Sequence, residues 1–281
     1  MTDQLSHNGS HGFGRSYRHV ARRIVASRRD GMADNQLGLV LTFVAGAVNA
    51  GGFFYVGQYT SHMSGIVAAI ADHVVLGLGD LVLAGLVAFS AFVIGAATSA
   101  VLINWGRRHY VSTQYVLPIS LESALLLVFG VVVGPTLPAS LVQPIAIPLL
   151  CFIMGLQNAT VTKISGARIR TTHVTGMVTD FGIEIGKFAY EISGRFRPDD
   201  RHPPVTADRA KLGLLASLLG AFVAGGIIGA LGFSRFGPVF ATVMALVLAA
   251  LVAPSLGGIL RHRRLRARRR QRRAKRAGSE S

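Results

Sequence analysis

Six long apolar runs dominate the chain: Leu37–Val56, Leu81–Ile103, Tyr115–Val133, Ser140–Ala159, Leu212–Leu231 and Pro238–Leu256. Each reaches the roughly 20 apolar residues that a helix needs to cross a bilayer. Six such runs do not fit a soluble domain of this size, so the pattern predicts an all-α polytopic membrane protein with six transmembrane helices. Two further segments, about Thr60–Leu78 and Thr171–Ser193, interrupt the pattern. The first contains His62, Asp72 and His73; the second contains His173, Asp180, Glu184, Lys187 and Glu191. A central charge costs at least about 2.5–3.5 kcal/mol on insertion scales. The second segment therefore has too many charges for a lipid-facing span.

The basic residues decide how these two segments are counted. If both cross, Arg107, Arg108, Lys163, Arg168 and Arg170 fall on the side opposite the arginine-rich N-terminus. If neither crosses, the N-terminus, the Asn104–Gln114, Thr162–Arg170 and Gly194–Lys211 loops and the C-terminal tail all share one side, and only Arg235 is left outside. The expectation is six spans, both termini cytoplasmic, and two polar segments that are non-spanning or broken helices.

Composition agrees: 51% of residues are hydrophobic, 15% are charged, and the mean hydropathy is +0.47. The net charge of +16 has the size of a nucleic-acid footprint, but its distribution differs from one. Eleven Lys/Arg lie in Arg261–Arg276; without these and Glu280, 18 basic and 12 acidic residues remain. The tail has no interleaved stacking aromatics, which argues against specific nucleic-acid binding. It reads as a topogenic segment that binds anionic lipid headgroups, at about 1 kcal/mol per basic residue near the surface. The chain thus divides into a polar, basic segment 1–35, one membrane domain 36–259, and a basic, disordered tail 260–281. The lone Cys151 sits in an apolar run, reads as a core residue, and excludes an intrachain disulfide. No short apolar region with a small-residue cleavage site follows the N-terminal arginines, so the first span is expected to be an uncleaved anchor.

The membrane domain repeats itself. Phe43-Val-Ala-Gly-Ala-Val-Asn-Ala50 matches Phe152-Ile-Met-Gly-Leu-Gln-Asn-Ala159. Thr60-Ser-His-Met-Ser-Gly65 matches Thr171-Thr-His-Val-Thr-Gly176, and Phe92-Val-Ile-Gly95 matches Phe222-Val-Ala-Gly225. The three matches keep their order, which gives repeats 36–134 and 138–259. Three spans per repeat is an odd number, so the second copy is expected to be inverted. Inverted repeats with broken helices near the midplane are a plan of secondary transporters.

G-x-x-N-A in the first span, T-S-H-M-S-G after it and the later T-T-H-V-T-G together resemble the YoaK family of bacterial inner-membrane proteins. The resemblance covers roughly Leu37 to Leu256. That family is defined by a domain of unknown function and described as having six spans. It implies a bacterial cytoplasmic (inner) membrane location and no particular substrate. Family members often carry an acidic residue where this chain has Asn49, and an aromatic where it has His173.

Candidate chemistry gathers in the repeated phrases. His62 and His173 occupy equivalent places and read either as midplane groups that bind substrate or relay protons, or as caps of two half-helices. Asn49 and Asn158 either coordinate a solute or tie their spans to the polar phrases. The hydroxyls Thr60, Ser61, Ser64, Thr171, Thr172 and Thr175 resemble N-cap material. Two inward-pointing helix N-termini would suit an anionic or zwitterionic solute. On a helix, His173, Asp180, Glu184, Lys187 and Glu191 share one face, with Glu184 and Lys187 spaced to pair; Asp180, nearer the tip, joins the site candidates. Glu122 is the only acid within the six runs. It is either a proton-coupling group or the partner of Arg107 or Arg108 at the membrane edge. No ligand spacing for a metal, phosphate-binding loop, nucleophile elbow or carboxylate pair is present, so neither cofactor nor enzymatic activity is expected. Gly130/Gly134 and Gly225/Gly229 suit tight internal packing or a homo-oligomer interface. The expected function is a secondary transporter or permease for a small solute, with proton coupling as one option. The alternative is a non-transporting scaffold or stress or assembly partner that recruits factors through its basic tail.

Overall fold

A computed structural model describes residues 31–109, 114–133, 136–164, 174–194 and 205–257. Among these residues the chain is helical, with no strand. The helices are α1 Gly31–Val56, α2 Met63–Val75, α3 Gly79–His109, α4 Val116–Val128, α5 Ala139–Ile164, α6 Val174–Gly194 and α7 Arg209–Phe236, then α8 over 241–257. The last turn of α4, Phe129–Val133, is a π-helix, and Gly237–Phe240 is a 3₁₀ turn. Five stretches are long and apolar enough to cross a membrane. The runs expected as separate spans at Leu212–Leu231 and Pro238–Leu256 lie in one of them, the 49-residue stretch Arg209–Gly257. This stretch bends at Gly237, whose φ of 60° lies in the left-handed region. Phe240 lies against Gly232, eight residues earlier, which on a straight helix would be about 12 Å away.

Two crossings organise the bundle: α1 packs along α7, and α3 along α5. Both are built on the repeated F-x-x-G. At the first, Gly46 faces the carbonyl oxygen of Phe222 and Gly225 faces that of Phe43. At the second, Gly95 faces the carbonyl of Phe152 and Gly155 that of Phe92. A Cβ at any of the four would overlap the facing oxygen, so only glycine admits this approach. Lipid supplies no hydrophobic force between helices, and such close backbone contact lets packing and Cα–H···O contacts hold them together.

Polar bonds fix the remaining helices. Ser99 and Thr160 bond across α3 and α5 at 2.7 Å, and the Gln157 amide donates to the Leu41 carbonyl of α1 at 2.9 Å. The Tyr115 hydroxyl, just before α4, donates to the Lys163 carbonyl at 3.3 Å, and Ser123 to the Ala245 carbonyl of α8 at 2.8 Å. Phe129 packs edge-on against Tyr55 of α1. The buried interior is mixed aliphatic and aromatic, while Leu83, Ile94, Val101, Val223, Ile227 and Leu231 point outward. An exposed apolar belt is what a bilayer solvates.

The two polar segments form helices of different kinds. α2 has 13 residues and is about 20 Å long, too short to cross. It lies antiparallel to α3, with Ile70 against Gly85 and Ile66 packed with Ala88 and the buried Cys151. α6 has 21 residues but carries a charged face, and it packs on α7.

Candidate functional site

The first polar phrase is anchored from α1. Ser61 donates its backbone N–H and its hydroxyl to Oδ1 of Asn49, at 3.2 and 2.9 Å. Asn49 lies seven residues before the end of α1, about 10 Å along its axis. The chain thus turns back from Val56 toward the interior before α2 begins. Gly57, with φ of 75°, makes that turn at a conformation glycine adopts freely.

The hydroxyls of this phrase do not cap α2. His62 holds the N-cap position, and its side chain makes no cap hydrogen bond. Its ring folds over Gly65, where a Cβ would collide with it. Ser61 is committed to Asn49, Ser64 is exposed, and the buried Thr60 hydroxyl has no hydrogen-bond partner among the described residues. The expectation of side-chain capping is corrected here: the phrase spends its hydroxyl on α1 instead.

His62 lines a cavity of about 780 Å³ between α2, the start of α3, the end of α1 and the start of α5. Its walls are mainly aliphatic, and its polar groups are Gln58, Tyr59, His62, His73, Asp80 and Gln143. His62 and His73 lie on one stripe of α2, eleven residues and about 16 Å apart. Gln143 also ties α5 to the Val56 carbonyl at 3.3 Å, and Tyr59 stacks on Phe53 at 4.7 Å. A space of this volume with a few convergent polar groups is typical of small-molecule sites. Among the described residues, His62 is the one candidate binding residue that lines it. His73, Asp80 and Gln143 were not singled out by the sequence, because only packing brings three helices' ordinary polar residues together.

Thr171, Thr172 and His173 lie outside the described residues. Thr175 is exposed on α6, and the buried Asn158 Oδ1 has no partner among the described residues. Asp180 is exposed and stands 4.0 Å from Lys211. Lower on α6, Glu184 is buried and collects donors from Lys187 (3.0 Å), Lys211 (3.4 Å) and the Asp208 N–H (3.1 Å). The Lys187 hydrogen bond first, then that N–H, hold the Glu184 carboxyl below the usual carboxylate range. Glu191 accepts from the Ala207 N–H, and Asp208 caps α7 by accepting from Lys211 N–H at 2.9 Å. Together these bonds latch α6 onto the start of α7.

Glu122 sits apart from both. It is 1% exposed, and its Oε1 has no hydrogen-bond partner among the described residues. Pairing with Arg107 or Arg108 does not occur: both arginines are exposed at the end of α3, and Arg107 donates to Gln114 at 3.2 Å. No cluster of three or more metal-ligating side chains occurs among the described residues.

Five stretches long and apolar enough to span, with an exposed apolar belt around a packed interior, define an integral membrane protein. The chain belongs to the family described as protein of unknown function, DUF1275, which it matches over residues 37–254, in keeping with its YoaK-like motifs. The comparisons with curated proteins and with solved structures each returned no match.

Proposed function

We propose that the protein is a secondary transporter or permease for a small solute, built from two inverted three-span repeats in a bacterial cytoplasmic membrane. The observation that carries this reading is the cavity that runs along α2, a helix too short to span, with His62 of the polar phrase in its lining. The reciprocal Phe–Gly crossings support the repeat, since each pairs a span of one half with a span of the other. The bend at Gly237 supports a count of six, dividing 49 residues into two spans. The arginine distribution supports cytoplasmic termini, and with that topology the cavity opens outward.

The two mouths differ in a way that suits alternating access. Aligning His62 with His173 and Phe92 with Phe222 pairs His73 with Glu184, and Leu81 with Lys211. The first pair of places lines the open cavity; the second holds an ion pair. The arrangement is that of an outward-open state with its inner counterpart latched. His62 serves the solute in the cavity while Asn49 holds the phrase that carries it, His173, Asn158, Thr175 and Asp180 serve from the other side, and Glu122 is the coupling group. Flux into proteoliposomes, run over a panel of anionic and zwitterionic solutes, tests the reading. Transport abolished by His62→Ala supports it; absence of flux and of any ligand-induced thermal shift across the panel overturns it.

A further inference from the structure

Two buried acceptors without partners lie in the core, on neighbouring helices. Gln157 is 1% exposed, and its amide N–H₂ is committed to the Leu41 carbonyl at 2.9 Å. That bond orients the amide, and the other end, Oε1, has no partner among the described residues. Glu122 Oε1 is orphaned likewise. The register of α4 and α5 sets them at one depth. Tyr115 meets Lys163 at the antiparallel end of the pair, so seven residues along α4 is level with seven residues back along α5, at Leu156–Gln157. Glu122 also lies on the α4 stripe Tyr115, Ile119, Leu126 and Phe129, which enters the same core cluster as Leu41 of α1 and Ile153 and Val161 of α5.

A carboxylate and an amide oxygen are both acceptors only. Left unpaired in a dry core, each carries its full desolvation penalty, largest for an ionised carboxylate. Among the described residues, no cationic side chain on the surrounding elements relieves them. Arg107 of α3 is held by Gln114, Lys163 of α5 is exposed beyond the end of α4, and the Tyr115 hydroxyl is spent on a carbonyl. Tyr55 of α1 meets α4 a further two turns away, at Phe129. A metal cation would want about six oxygens, and two side chains from two helices do not supply them. One proton satisfies both groups: taken from hydronium, it leaves water behind and turns the carboxylate into an O–H donor for the amide oxygen.

We propose that Glu122 and Gln157 form a proton-binding pair, with Glu122 held as the neutral acid and donating to Gln157 Oε1. This deepens the coupling role given to Glu122 above and rests on that reading for its consequence in transport, but not for its chemistry. It also gives α4 and α5, and hence the two repeats, a shared proton.

Infrared spectroscopy of the purified protein in nanodiscs at neutral pH tests the pair. The expected result is a protonated-carboxyl C=O band that vanishes in Glu122→Gln and moves to higher frequency in Gln157→Leu, where the acceptor is gone. Gln157→Met, closer in shape, serves if the leucine variant does not fold. A spectrum unchanged by Glu122→Gln, or a band unmoved by both Gln157 variants, overturns the proposal. A band that appears only when sodium is replaced by a bulky organic cation overturns it too, and gives the site to a metal ion. The band is read without substrate, so a failed flux assay counts against the transporter reading alone.

Discussion

Ser61 gives both its backbone N–H and its hydroxyl to one oxygen, Oδ1 of Asn49. Asn49→Ala leaves two donors in a partly buried site, and a donor stripped of its partner costs about 1–3 kcal/mol. The expected outcome is a lower melting temperature and faster thiol labelling of Ser64→Cys, as the phrase leaves α1. Asn49→Asp keeps the acceptor and is expected to melt near wild type. Equal loss in both variants would show that the oxygen is not what holds the phrase.

The Phe–Gly crossings predict a sharp contrast between glycines. Gly155→Ala and Gly225→Ala each drive a Cβ into a facing carbonyl. Overpacking of this sort typically costs about 1–3 kcal/mol, and the two sites lie on different crossings, so their costs are expected to add. Gly213 and Gly220, on the open face of α7, meet nothing. Alanine there is expected to be neutral or stabilising by up to about 1 kcal/mol. Thermal unfolding of the four variants in one detergent checks the ranking.

The latch on α6 sets a pH dependence. A carboxyl held below its usual range contributes stability that is complete above the unfolded value, about 4.3 for glutamate, and is lost as pH falls through the lowered one. Amide exchange at Ala207 and Asp208 is therefore expected to quicken in acid, beyond the intrinsic change in exchange chemistry. Glu184→Gln should produce the same opening at neutral pH. Identical protection in wild type and variant would remove the latch.

His62 separates structure from function cleanly. Its side chain makes no cap bond, so His62→Ala is expected to alter stability by no more than about 0.5 kcal/mol. The same change should abolish solute uptake, because the ring lines the cavity. A large drop in melting temperature would mean that the ring chiefly packs α2.

Deleting Leu265–Ser281 distinguishes the transporter from a tail-dependent scaffold. Flux that survives the deletion but not His62→Ala is expected. A phenotype lost with the tail and kept without His62 and His173 would favour the scaffold.

The apolar runs lay where the helices lie, because about 20 residues of low polarity can solve only one problem in a bilayer. The two polar phrases also marked themselves, by repetition. What the sequence did not disclose is which helix meets which. F-x-x-G was visible as a repeat marker, yet its reciprocity depends on α1 meeting α7 and α3 meeting α5. Glu122 suffered from the same gap: linear proximity suggested arginines, whereas the fold buries it without them. His73, Asp80 and Gln143 carry no motif at all. Composition divided the 49-residue stretch around Gly237-Pro238, where the chain bends, but the helical turn that bridges it was not foreseeable from hydrophobicity.

The short α2 has an electrical consequence. In the topology proposed above, once water fills the cavity beside it, the low-dielectric layer there is thinner than the bilayer, and the membrane voltage falls across the part below His62. Moving one charge through the full potential changes its energy by about 2.3 kcal/mol per 100 mV. A charged solute resting at the bottom of the cavity would thus have most of that drop still ahead of it, in a single short step.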